Sequence, residues 1–201
     1  MGPLRAGTIY GIGAVLVALA ANLYFLFLDP AGTPDWVLAV IQTYHTQLAL
    51  AAFVFLGILA ALRTRPVRLD PEVQYRSLLV RDCALAATIV ALLAGFTLML
   101  VTALEATLFA DAMRHYASQA APKIVSYVNE SRTELSDPPP PARVDEVRAA
   151  LQPPVLQDLG RSLSNLVLRA ILIGTIGGFV GAIRGRSGSE PGAKPGSPPE
   201  R

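Results

Sequence analysis

The sequence predicts an all-α fold: a four-helix transmembrane bundle with an extracytoplasmic helical hairpin between helices 3 and 4. Of the 201 residues, 52% are hydrophobic and only 16% are charged, and the mean hydropathy is +0.45. This composition is too apolar for an ordinary soluble domain. The apolar residues also fall in four blocks, each long enough to supply the roughly 20 helical residues that cross a bilayer. Helices are expected because a backbone in lipid must satisfy its own hydrogen bonds.

The first block covers residues 8–28 and follows Arg5. Within it, Ala18-Leu19-Ala20 resembles the small-residue cleavage site of a signal peptide. The apolar run continues as far as Leu28, which favours an uncleaved membrane anchor. Cleavage would instead leave three helices and an external N-terminus.

The other three blocks cover residues 36–62, 78–104 and 163–183. The connection 63–77 carries four arginines, whereas the connection 29–35 has neither lysine nor arginine. The positive-inside rule therefore places residues 63–77 in the cytoplasm. We expect a multi-pass protein of the cell (inner) membrane with its N-terminus and C-terminus both cytoplasmic.

The long segment between the third and fourth blocks carries apolar residues at helical spacing, which predicts an amphipathic helix. We expect the third membrane helix to continue outward into it, with Pro122 kinking or ending the helix. The proline run 138–141 predicts an extended spacer. After it, the last helix is expected to start at Pro153 and Pro154. The apolar stripe packs against its own return arm or docks a partner, and its candidate outer partner face is Phe109, Met113, Tyr116, Ile124 and Tyr127.

These features divide the chain into four parts. Residues 1–105 hold transmembrane helices 1–3 with short loops, and residues 106–162 form the extracytoplasmic helical segment. Residues 163–184 form transmembrane helix 4. The tail 185–201 is rich in glycine, serine and proline, so we expect it to be disordered in the cytoplasm.

Two small-xxx-small patterns overlap in the fourth helix. Glycines at this spacing let two helix backbones approach closely, which is a main source of helix association in lipid. The same pattern suits packing inside this chain and packing on another subunit. The candidate helix-packing residues are Gly174, Gly177, Gly178 and Gly181.

Polar residues recur at similar estimated depth in the outer half of the bundle. An arginine in hydrocarbon needs a carboxylate, water or a route to the headgroups, and Glu105 is the nearest candidate partner for Arg169. The group is either a structural network or a site for a ligand or proton. His45 alone is a weak metal signal because no second ligand accompanies it. The candidate intramembrane polar cluster is Asn22, Gln42, His45, Glu105 and Arg169.

Several classes of function are disfavoured. A net charge of +2 without a dense basic patch argues against a nucleic-acid partner. The four-helix layout resembles tetraspanins and the quinone-linked disulfide-forming enzymes, but both depend on several cysteines and this chain has only Cys83. We interpret Cys83 as a small packing residue. No catalytic or metal-binding motif is present in the sequence, and we expect no cofactor.

The sequence therefore favours a non-catalytic subunit, scaffold or assembly factor of a membrane complex. Its expected partners are the lipid bilayer and other membrane protein subunits. The alternative is a small transporter or channel-like protein with a polar intramembrane site.

Overall fold

The protein is described by a computed structural model over residues 1–66, 74–133 and 139–187. Within these ranges every regular element is helical, and four helices are long and apolar enough to cross a membrane. This confirms the all-α, membrane-embedded prediction. The elements are α1 (Pro3–Asn22), a 3₁₀ turn (Tyr24–Leu26), α2 (Asp35–Arg63), α3 (Tyr75–Ala106), α4 (Ala110–Thr133), α5 (Val144–Ala150) and α6 (Asp158–Ser187).

The first spanning helix is offset from its predicted range. It starts with Pro3 in its first turn, where the missing amide hydrogen is not needed. It ends at Asn22, and the aromatic run that follows forms the 3₁₀ turn instead of the predicted last turn of helix. The reason is tertiary: Phe25 is buried in this turn, against residues of α4.

Helix α3 is the centre of the bundle and packs against α1, α2 and α6. Small side chains fill these contacts, so the helices approach closely. The most extensive contact is between α3 and α6. The buried alanines of this core are Ala6, Ala14, Ala18, Ala49, Ala60, Ala86, Ala87, Ala91 and Ala94.

The four candidate packing glycines of α6, Gly174, Gly177, Gly178 and Gly181, face α3. A methyl group added at Gly177 would lie 2.5 Å from the Cβ of Ala87, and one added at Gly181 would lie 2.8 Å from the carbonyl oxygen of Leu79. At Gly178 the nearest atom would be 3.6 Å away, which is an ordinary contact. Within the single chain these glycines therefore pack closely on α3.

The third membrane helix does not continue smoothly outward, contrary to expectation. Helix α3 ends at Ala106, and Thr107 leaves the helical region with φ −123° and ψ −79°. The Thr107 hydroxyl donates to the carbonyl oxygen of Ala103, and the Phe109 amide donates to that of Leu104. These bonds satisfy carbonyl groups that a helix end leaves open.

Pro122 does not end α4, because the helix runs through it from Ala110 to Thr133. Proline removes one backbone donor and crowds the preceding turn. Buried residues on both sides of it hold the helix together: Ala120, Ala121, Ile124 and Val125.

Helices α4 and α5 cover one end of the bundle. Helix α4 packs on α2, on the 3₁₀ turn and on α5. A second hydrophobic core lies between α4, the 3₁₀ turn and α2. The apolar stripe of α4 lies in this second core, where Tyr116 and Ile124 are buried and Phe109 and Met113 pack against them. Of the five candidate partner-face residues, Tyr127 is the most exposed, with 37% of its surface accessible. The stripe therefore packs mainly within its own chain.

Helix α6 starts later than the double proline predicts. It begins at Asp158, whose side chain accepts a hydrogen bond from the amide of Val155. Residues 139–143 have no regular structure, and Asn129 bonds both the amide and the carbonyl of Ala142. The tail beyond Ser187 and the first proline of the run, Pro138, lie outside the described residues.

Candidate functional site

A polar cavity of about 100 Å³ lies where α3 ends beneath α4 and α5. Four of the five residues predicted to form a polar cluster meet on its wall. The structure therefore brings together, from three spanning helices, side chains that the sequence suggested only by depth. The cavity is lined by Asn22, Tyr24, Phe25, Gln42, His45, Glu105, Met113, Tyr116, Ala150 and Leu151.

Glu105 supplies the charge of this cavity. It is the second-last residue of α3 and only 8% of it is exposed. Within the described residues no side chain or backbone group forms a hydrogen bond or ion pair with its carboxyl group. A carboxylate in this position is costly without a protein partner, and water in the cavity, a proton or a cation can stabilise it.

Tyr24 stands beside Glu105 on the wall of the cavity. Its hydroxyl donates to Oε1 of Gln42 at 3.2 Å. Burial raises the pKa of Tyr24 from 10.0 to about 12, and the negative charge of Glu105 contributes to the same shift. Burial also raises the pKa of Tyr116. Both phenols therefore stay neutral donors over the physiological range.

Aromatic rings form much of the rest of the wall. The ring of Tyr24 meets that of Tyr116 at 82° with centroids 5.7 Å apart, and meets that of Phe25 at 81° and 6.4 Å. The His45 ring lies 5.5 Å from that of Tyr24. Edge-to-face pairs of this kind stabilise a cluster by about 0.5–1.5 kcal/mol each.

His45 is held by its own helix. Its Nδ1 lies 2.9 Å from the carbonyl oxygen of Ile41, and because a carbonyl only accepts, Nδ1 carries the hydrogen. Its Nε2 lies 3.2 Å from the hydroxyl of Thr46. Within the described residues, no three His, Cys, Asp or Glu side chains group as metal ligands.

Arg169 lies apart from Glu105, and the predicted pairing of the two is not formed. It lines a cavity of about 70 Å³ with Asn22 and His45, and another of about 150 Å³ with Asn22, Thr102, Ser162 and Asn165. Asn22 lies on the wall of all three cavities and so links Arg169 to the Glu105 cavity. The two residues differ in depth: Gly95 of α3 lies against Leu166 of α6, and Thr88 lies against Gly174, so Arg169 is level with about residue 93 of α3, several turns from Glu105.

Lys123 is a structural residue that the sequence did not indicate. It lies on α4, and its Nζ donates to the carbonyl oxygens of Pro30 and Thr33, each at 2.8 Å. The same Nζ lies 3.3 Å from Oδ1 of Asp35, at the start of α2. Lys123 thus fastens α4 to the α1–α2 loop. This contact helps to hold α4 in place over the cavity. No periodic signal marks such a contact, because its partners are loop carbonyl groups.

Arg184 makes a similar clamp at the opposite end of the bundle. Its Nη1 donates to the carbonyl oxygens of Ala61 at 2.7 Å and Thr64 at 3.0 Å, and it also lies 3.6 Å from Sγ of Cys83. Cys83 is buried, and its thiol donates to the Ala61 carbonyl oxygen. Arg184 therefore joins α6 to the end of α2.

Comparison with known proteins gives no relative for this chain: no protein-family model, no curated protein and no solved structure matches it.

Proposed function

We propose that the protein is a small transporter or channel-like protein of the cell membrane that handles a small cation at Glu105. One observation carries this proposal: the Glu105 carboxyl is buried on the wall of a polar cavity and lacks a partner among the described residues. Ionisable residues inside membrane helices are costly and are typical of ion and proton pathways. The usual alternative role is a structural ion pair, and Glu105 forms none with the residues that the structure describes.

Two surfaces favoured a subunit or scaffold: the α6 glycines and the apolar stripe of α4. Both are largely covered by other parts of the same chain. The glycines of α6 contact α3, and most of the α4 stripe lies in the second core. The polar cluster, by contrast, lines an open cavity. In this proposal α4 and α5 lie on the extracytoplasmic side, as the arginine distribution predicts, and the Glu105 cavity takes up its cation there.

Glu105→Gln tests this function because it removes the charge and preserves the shape of the side chain. In proteoliposomes under an imposed membrane potential, we expect wild-type protein to carry protons or sodium ions and Glu105→Gln to lose at least about nine-tenths of that flux. Internal dyes sensitive to pH and to sodium report the two ions separately.

Glu130→Gln is the matched control, since Glu130 is exposed on α4 and lies outside the cavity. Its flux should equal that of wild type. Equal fluxes in Glu105→Gln and wild type, or no flux above empty liposomes in any sample, would contradict the proposal.

A second candidate function is a non-catalytic subunit, scaffold or assembly factor of a membrane complex. Asn165 favours it: this residue is exposed on spanning helix α6, and its carboxamide has no hydrogen-bond partner among the described residues. In lipid such a group gains from a polar partner on a neighbouring helix. Replacing Asn165 with a photoreactive residue in native membranes should then crosslink one discrete protein, whereas crosslinks to lipid alone would remove this candidate.

A further inference from the structure

The Glu105 cavity combines one negative charge with several aromatic faces, which are the two elements that recognise an ammonium group. We propose that it binds a small ammonium ion, in the range from methylammonium to tetramethylammonium. This inference rests on the proposed function, because it names the class of cation that Glu105 takes.

The charge of the cavity selects a cation. Among the described residues that line it, Glu105 is the one acid, and neither lysine nor arginine is present. The two ring nitrogens of His45 are engaged within its own helix, Nδ1 with the carbonyl oxygen of Ile41 and Nε2 with the Thr46 hydroxyl. An anion would meet an unopposed carboxylate here, whereas a cation neutralises it.

The rings favour binding of an organic cation. Tyr24, Phe25 and Tyr116 all line the cavity, and the Tyr24 ring is nearly perpendicular to the other two. Cations bind over such faces within about 6 Å of the ring centre, and quaternary ammonium groups are the best-known ligands of aromatic walls. Asn22, Tyr24 and Tyr116 add side-chain oxygens to those of Glu105 and Gln42, so the case for an ammonium ion rests on the rings beside the charge.

The cavity wall also offers hydrogen-bond acceptors to an N–H donor. Oε1 of Gln42 accepts one hydrogen bond, from Tyr24, and a carbonyl oxygen has a second lone pair. A primary ammonium ion can therefore donate to both Glu105 and Gln42, and a methylated one uses the rings instead. The volume of about 100 Å³ limits the ligand to a few heavy atoms.

Binding is measured by isothermal titration calorimetry on the full chain in lipid nanodiscs, with methylammonium, tetramethylammonium and tert-butanol as probes. The neutral tert-butanol has nearly the shape of tetramethylammonium. We expect wild type to bind both ammonium ions and to bind tert-butanol at least about 10-fold more weakly. Glu105→Gln should lose at least about 10-fold in ammonium affinity, and Glu130→Gln should lose none.

Two substitutions of Tyr24 separate the ring from the hydroxyl. Tyr24→Leu removes the aromatic face and should weaken tetramethylammonium binding about 5- to 30-fold. Tyr24→Phe keeps the face and should bind it within about twofold of wild type. Tyr127→Leu is the control, because Tyr127 is an exposed ring of α4 that does not line the cavity.

The outcomes distinguish this inference from the proposed function. Ammonium binding that depends on Glu105 and exceeds that of tert-butanol supports the inference, even if Tyr24→Leu fails to fold. If wild type carries protons or sodium through Glu105 but binds neither ammonium ion, or binds tert-butanol equally well, the inference is overturned and the proposed function stands. If no cation binds or crosses in a Glu105-dependent way, both are overturned.

Discussion

Charged side chains that bind backbone carbonyl groups hold both ends of this bundle. Lys123 does so near the cavity and Arg184 at the opposite end. Neither contact was predicted from the sequence. Every residue has a backbone carbonyl group, so no residue type marks the partner of such a contact. It did identify most of the polar cluster, since the depth of a residue in a membrane helix follows from its position along the helix. Whether Glu105 meets Arg169 was left open, because the relative depth of α3 and α6 depends on how they pack: Gly95 lies against Leu166, which places Arg169 several turns from Glu105.

Lys123→Ala tests the fastening of α4 to the α1–α2 loop. Hydrogen bonds from a charged donor contribute about 1.5–3 kcal/mol, and partial exposure of this group reduces that figure. We expect a loss of about 1–2 kcal/mol in a reversible detergent-unfolding titration. Amide hydrogen exchange should rise at residues 29–34.

Arg114→Ala is the control for that measurement. Arg114 lies on the same helix and pairs with Asp111 one turn away, at the exposed surface. Such pairs contribute little, so we expect a change below about 0.5 kcal/mol. Equal stability of Lys123→Ala and wild type, with unchanged exchange in the loop, would show that the contact does not hold the cover.

At the scale of helices, apolar length predicted which segments span, but not where each one ends. The requirement for about 20 apolar residues is strong, so all four spans were found. Helix ends depend on tertiary packing and local capping. Phe25 stops the α1 helix early by turning into the second core, and the burial of Ala121 and Ile124 carries α4 through Pro122.

Neighbouring glycines of α6 give a matched test of its packing on α3. Gly177→Ala forces a methyl group to 2.5 Å from Ala87 Cβ, and overpacking of this kind costs about 1–3 kcal/mol. Gly178→Ala has room and should leave stability unchanged or slightly higher. Both variants are compared by detergent unfolding, with size-exclusion chromatography reporting the oligomeric state.

A loss of stability in Gly177→Ala at constant oligomeric state is the result expected from packing inside one chain. The contrary result is a shift to smaller assemblies with unchanged unfolding. That result would assign the glycine face to contacts between subunits.

At the scale of the whole molecule, α4 and α5 form a cover over one end of a four-helix bundle, and the cavity lies at their junction. Its wall draws on α1, the 3₁₀ turn, α2, α3, α4 and α5. The aromatic part of the wall was not predicted as a site, because residues 24–28 read as membrane helix and Tyr116 as a contact for a partner. Only their meeting in three dimensions makes an aromatic wall beside Glu105.

The most direct test of cation binding at Glu105 is the infrared difference spectrum of the protein in lipid, recorded on adding methylammonium and, separately, sodium ions. A cation that meets this carboxyl group must perturb its vibrational band. We predict a carboxyl difference band with at least one of the two ions, present in wild type and Glu130→Gln and absent from Glu105→Gln. The same band in Glu105→Gln, or no carboxyl band in wild type with either ion or with a change of pH, would contradict the central claim.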